Sequence, residues 1–418
     1  KLNRMKTRLF CLLICIYMLF PVRADEIGRF TVQLEAMHKD IPVAISLDQF
    51  SYNTDKGSIA LFEVTGAGET FVPSQVEAGY NARVWFIPSP SEQLSRTFVL
   101  KYQGDETKVP PVALTIERDE KDLMIKHDES PVLKYRYVET YPPEGVDPLF
   151  KRSGFVHPLW SPGGEVLTRI QPLDHYHHYG IWAPWTMTRV EGRKVDFWNL
   201  ASGEGTVIFS KFLSEVSGTV YAGFQALQEH IDFGAKGFDQ TAINEVLDIR
   251  VWNTGGNVWI IDYTSTMTTP LDDGILLEAY RYGGGIGFRA IEKWTKDNST
   301  VLTSEGKTRL DADGSRARWC LVEGETDAAQ GRSGILFLSH PANRMHPEPM
   351  RVWPIDANGG RGDLFFEFTP IRYEDWELKP FIKYALRYRM VVFDGEMEPE
   401  MAERYWYSFA TQPKIEIN

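Results

Sequence analysis

Cysteine is almost missing from this chain, which has three in 418 residues: Cys11, Cys15 and Cys320. The first two fall in a short N-terminal apolar run, so a chain processed beyond that run keeps one thiol and no internal disulfide. Thiolate-rich metal centres are excluded with them, and no axial-methionine pattern favours a copper or iron redox site. Long apolar runs are also lacking. LFCLLICIYMLF, residues 9–20, falls short of the ~20 residues a membrane span needs. Positive charge is in deficit, with 45 Lys and Arg against 57 Asp and Glu and a net charge of −12. Without residues 1–24, which hold five basic and no acidic side chains, the net charge is −17. With no basic cluster in that remainder, nucleic acid and anionic lipid are excluded as partners. No glycine-rich stretch is followed by the Lys-Ser/Thr of a phosphate loop, so no nucleotide cofactor is expected.

A different picture comes from what is present. A basic start at Met5-Lys6-Thr7-Arg8, the apolar run, and Val22-Arg23-Ala24 before Asp25 read as a secretory signal peptide over residues 1–24, with Met5 as the start. The mature protein is then expected in a bacterial periplasm or outside the cell, with no membrane insertion after signal removal. Aromatic residues reach 13%, with 12 Trp, 18 Tyr and 24 Phe. Such residues fill a large β-core or offer flat faces on which sugar rings stack.

Strand-like segments dominate: FTVQLEA, PVAISLDQF, RTFVLKY, ALTIERD, TVIFSKFL, GILFLSH, DLFFEFTP and ALRYRMVVFD, separated by Gly, Pro, Asn or Asp. One helix stands out near the end. Pro399 suits a first turn, and Met397, Met401, Tyr405 and Phe409 recur every four residues as one apolar stripe. Pro110-Pro111 interrupts strand pairing, because proline lacks the N–H a ladder needs. The expected organisation is a small N-terminal β-sandwich over residues 25–111 and a large antiparallel two-sheet domain over 112–418. The fold class is all-β.

Chemistry concentrates in DHYHHYGIW, residues 174–182, where three of only nine histidines sit beside an aspartate. As a strand, this segment would put His175 and His177 on one face, with Tyr176 and His178 on the other. Pro172 and Gly180 point instead to a loop edge. Two reactive uses stay open. His175, His177 and Asp174 suit a divalent ion such as zinc, calcium or manganese, and His175, His177 and His178 suit acid–base work near neutral pH. His157 lies upstream, and Trp160, Trp182 and Trp185 flank the cluster as candidate stacking faces. A second candidate is SHPANRMHPEP, with His340 at a strand end and His346 and Glu348 beyond it. A third is EAYRYGGGIGFRA, where Glu278 is a candidate carboxylate and Arg281 and Arg289 are forked donors for a hydroxylated or carboxylated ligand. In DLFFEFTP, Glu367 points either to solvent or, beside Phe365, into an apolar site that raises its pKa for proton transfer.

HPLWSPGGEVLTR, DHYHHYGIW, VDFWN, GGGIGFRA, LSHPANRMHPEP and LRYRMVVFDG follow one another in an order that resembles the PmoA-like family, a domain of unknown function labelled "methane oxygenase PmoA". The histidine motif is the most specific part, matching D-H-x-H-H-x-G-[IL]-W, with Tyr179 where a basic residue is frequent. The resemblance implies an exported bacterial protein associated with polysaccharide use and a galactose-mutarotase-like β-supersandwich. There a histidine and a carboxylate face each other across a concave sheet and act on a sugar ring. The label itself conflicts with the sequence, which has no membrane span after the signal. The expected function is a carbohydrate-active hydrolase or lyase acting on an oligosaccharide or glycoside. The alternative is a glycan-binding protein without turnover.

Overall fold

The computed structural model describes residues 26–103, 110–234 and 237–418; residues 1–24, expected as a signal peptide, lie outside them. Long alternating strands build an eight-stranded antiparallel sheet. Its order is Gly205–Val216, Tyr221–Asp232, Gln240–Trp252, Val258–Thr268, Tyr384–Asp394, Arg332–Ser339, Trp319–Glu325, Ser299–Thr303. Opposite lies a nine-stranded sheet, in the order Arg316–Ala317, Glu348–Val352, Phe365–Phe368, Ile286–Arg289, Ile181–Trp182, Phe155–Leu159, Ser130–Arg136, Asp122–His127, Leu114–Arg118. One continuous core fills the space between them, drawing Leu133, Ile181, Phe288 and Phe366 from one sheet and Leu247, Ile261, Ile335 and Val392 from the other. This is the expected all-β, two-sheet supersandwich. Cys320, the expected lone thiol, is free and buried in it.

The helix forms where the four-residue stripe places it, over Pro399–Ala410. Ala402, Tyr405 and Phe409 press against Ile260, Leu336, Leu338 and Val391 on the outer face of the eight-stranded sheet, with Met397 and Met401 alongside. No helix among the described residues is long and apolar enough to cross a membrane.

A five-stranded and a three-stranded sheet precede the large unit and share a core of their own around Phe30, Phe86 and Phe98. The edge strand of the five-stranded sheet comes from the far end of the chain: Lys414–Ile417 pairs antiparallel with Glu26–Gln33. The junction with the large unit combines aromatic packing, with Trp85 against Tyr221 and Trp252, and polar and ionic contacts. Gln75 Oε1 accepts the N–H groups of Val220 and Tyr221 at 3.0 and 3.1 Å, and Arg250 meets Glu77 at 2.8 Å.

The nine-stranded sheet positions the site. Because side chains alternate across a strand, Val156, Ile181 and Phe366 enter the main core while Phe155, Trp182 and Phe365 emerge on the opposite face. There they form a second aromatic cluster with Tyr179, Trp198 and Trp353. Loops cross above it.

Candidate functional site

Residues 174–179 form a loop of successive tight turns rather than a strand, and pairing resumes at Ile181–Trp182. The His175 N–H reaches Pro172 O at 2.9 Å, and the His178 N–H reaches His175 O at 3.1 Å. The alternation expected of a strand is therefore absent, and all three imidazoles turn into one pocket. Gly180 ends the loop at φ +71°, and an added Cβ would lie 2.5 Å from Val156 O. Only glycine lets the chain drop back into the sheet at that point.

The pocket holds about 220 Å3 and is lined by His175, His177, His178, Trp198, Asn199, Tyr280, Tyr282 and Trp353. The imidazole ring centroids stand 4.8–5.4 Å apart. His175 Nδ1 is 2.7 Å from Asp174 Oδ2. The same oxygen accepts from Arg289 Nη2 at 3.3 Å, and Arg289 also donates to Asp363 Oδ2 at 2.6 Å. Arg289 is wholly buried, with its guanidinium 4.7 Å from the Trp353 ring centre. Partial burial pushes the Asp174 pKa upward, but the His175 hydrogen bond and Arg289 outweigh it and hold the carboxyl below its ordinary value. Asp174 is thus a carboxylate tethered on one side and aimed at His175 on the other.

His177 and His178 are different. Burial, reinforced by neighbouring positive groups, pulls His177 down to about 4 and His178 well below its ordinary value. Both are neutral imidazoles at pH 7, each with one donor and one acceptor nitrogen. His178 is 1% exposed, and neither of its nitrogens has a partner. An unpartnered buried polar group costs roughly 1–3 kcal/mol, and here it borders a pocket.

VDFWN supplies the facing wall. Asp196, buried beneath it, accepts from the N–H groups of Trp198 and Asn199, from Asn199 Nδ2 and from Thr186 Oγ1 at 2.8–2.9 Å. Trp198 Nε1 then donates to His177 O at 2.8 Å, tying this wall to the histidine loop. On the other side, the Tyr282 hydroxyl accepts from Arg351 Nη2 at 3.0 Å and Trp353 Nε1 at 3.1 Å. Sequence reasoning missed Trp198, Asn199, Tyr280, Tyr282 and Trp353. VDFWN and EAYRYGGG held four of them in view, but single letters do not show which loops meet.

Other expected site residues are placed elsewhere. Trp182 lies beneath the pocket, fully buried, 5.4 Å from the His178 ring. Trp185 belongs to the main core beside Trp376, and Trp160 bridges Val166 away from the lining. His157 bonds Thr168 Oγ1 at 2.9 Å, and burial lowers its pKa to about 4. Glu278 is paired with Arg189 at 2.9 Å. Arg281 is exposed, its guanidinium 5.3 Å from the Tyr282 ring centre. Arg289 serves as the buried anchor of Asp174. Glu367 does not point to solvent: it is wholly buried on the aromatic face, accepting the Gly283 N–H at 2.7 Å, and burial raises its pKa well above normal. Through that bond it pins the Tyr282 loop from below. His340 and His346 pack on the helix, against Phe409 and Trp406, apart from the pocket. Their neighbour Glu348 is buried among Ser339, Asn343 and Tyr388, and burial lifts it to about 7. Among the described residues no three His, Cys, Asp or Glu groups are disposed to hold a metal ion.

A family model described as "Family of unknown function (DUF6807)" matches residues 122–407. This agrees with the resemblance to a domain of unknown function; the PmoA label is not part of that description. No curated protein matches the chain. Among solved structures, a heparan sulfate lyase, HepC from Pedobacter heparinus, is similar at 8% identity. That likeness covers 71% of this chain and 38% of that one, with a TM-score of 0.34. A heparinase III, the BT4657 gene product, is similar at 9% identity over 69% and 37%, with a TM-score of 0.29. The chain spans little more than a third of the length of either protein.

Proposed function

The chain belongs to the DUF6807 family of unknown function, and from the chemistry of its pocket we propose that it is an exported bacterial carbohydrate-active enzyme, cleaving or rearranging a glycoside by hydrolysis or elimination. The observation that carries this is the convergence of three imidazoles and four aromatic side chains on one small pocket. Aromatic faces suit the apolar faces of a sugar ring. His175 has the arrangement of an oriented acid–base group. Asp174 holds a proton on Nδ1, leaves Nε2 as the basic atom, and stabilises the imidazolium formed when Nε2 takes a proton. His177 and His178 remain neutral and hydrogen-bond the ligand. The basic start and apolar run of residues 1–24 support export.

Turnover on a panel of polysaccharides and aryl glycosides tests the reading. His175→Ala is expected to lower the rate about 100-fold or more while glycan binding persists. A wild-type protein that binds glycans, releases no product from any, and is unchanged by His175→Ala would be a binding protein instead.

A divalent ion on Asp174, His175 and His177 is the second proposal; it rests on the 5.4 Å spacing of the two rings and requires the three side chains to turn, because as they stand no three such groups among the described residues are disposed to hold one. Metal analysis of untagged protein decides it. Near one equivalent of zinc, calcium or manganese supports it, and none after incubation with each ion removes it.

A further inference from the structure

Resting on the carbohydrate reading above, we infer that the pocket takes a single neutral, polyhydroxylated ring and rejects uronic and sulfated sugars. None of the eight lining residues is Lys, Arg, Asp or Glu. Each charge beside it has an internal partner, although Nε and Nη1 of Arg289 and Nε of Arg351 are buried without one. Arg289 is held by Asp174 and Asp363, Arg351 by Asp313 at 2.9 Å, and Asp196 by the four donors from Thr186, Trp198 and Asn199. Arg281, exposed beside Tyr282, lies outside the lining.

The hydrogen-bonding capacity left over is mixed in sign. Asn199 spends Nδ2 on Thr186 Oγ1 at 3.2 Å and Asp196 Oδ2 at 2.9 Å, so Oδ1, an acceptor, is what it offers a ligand. The indole N–H groups of Trp198 and Trp353 are used internally. Tyr282 accepts twice, which leaves its proton to donate. His177 and His178 each add one donor and one acceptor. A hydroxyl group both donates and accepts, so it satisfies every one of these positions. A carboxylate or sulfate only accepts, and would set lone pairs against Asn199 Oδ1 and the acceptor nitrogens without a cation in the lining to compensate. The size agrees: about 220 Å3 is below the ~300–1,000 Å3 of sites for drug-sized ligands, which suits one ring. The net charge of −12 works against an incoming polyanion as well.

Saturation-transfer NMR and calorimetry on the full chain test this with methyl glycosides of glucose, galactose, mannose and xylose, against methyl glucuronide and glucose 6-sulfate. At least one neutral glycoside is expected to bind about tenfold or more tightly than either acidic sugar. His178→Phe and Tyr280→Ala, each checked for an unchanged far-UV spectrum, should both weaken it. Tighter binding of an acidic sugar, or neutral binding indifferent to both variants, overturns the inference and leaves the carbohydrate reading standing. No saturable binding by any sugar overturns both.

Discussion

Asp174 is a side chain of one residue with two unlike partners, a titratable imidazole in the pocket and a guanidinium buried behind it. Replacing it by Asn keeps the shape but removes the charge that orients His175. The rate on any accepted glycoside should fall about 100-fold. Stability should fall by less than the ~3–5 kcal/mol of a fully broken buried pair, because Asp174 is 24% exposed and Arg289 retains Asp363. Roughly 1–2 kcal/mol is expected by urea titration. A variant that loses stability but keeps turnover would make Asp174 a purely structural anchor.

At the level of the element, the loop 171–180 depends on one position. Gly180→Ala must place a methyl group 2.5 Å from Val156 O at a φ of +71°, so strain and clash act together. A loss of about 2–3 kcal/mol in chemical denaturation is expected, with ligand binding weakened because the three imidazoles ride on this loop. A loss under 0.5 kcal/mol would mean the loop relaxes freely. The helix and many of the strands are legible in the sequence because each repeats a local rule: alternation in Glu26–Gln33, a stripe every four residues in Pro399–Ala410; the long strands Tyr221–Asp232, Gln240–Trp252 and Val258–Thr268 are not among those read. The histidine cluster was legible too, since rarity and clustering need no fold to be seen. Its partners were not. Asp363 and Trp353 reach Asp174 and His175 only through Arg289 and a distant loop. Trp185 looks identical to Trp198 in sequence, yet it lies in the main core while Trp198 joins the aromatic cluster under the loops. Glu367 was read correctly as costly to bury, but what lies across the sheet decided that it pins a loop instead of facing a substrate.

At the scale of the whole molecule, buried titratable groups of opposite tendency bound the pH range in which the fold is stable. His157, His177 and His340 lie in three different places, and burial brings each to about 4. Their folded pKa values lie below the unfolded value of ~6.5. Their contribution is therefore complete above that value and is lost as pH falls through it toward 4. Glu348 has the opposite sign. Burial raises it to about 7, so its contribution is complete below the ordinary carboxylate range and is lost as pH rises through 7. Tm should thus rise with pH to about 6.5 and slip back slightly by about pH 7.5, above which these groups are in the same state folded and unfolded. The two limbs can be separated. Glu348→Gln keeps the shape but removes the titration, and should abolish the fall between about pH 6.5 and 7.5 while steepening the acid limb, which Glu348 opposes. His157→Gln should reduce the acid limb only, by no more than roughly a quarter, because His178 is depressed by burial as well. Thermal unfolding across pH 4.5–8.5 on the three proteins checks this. An alkaline limb that survives Glu348→Gln would remove the buried carboxyl as its cause.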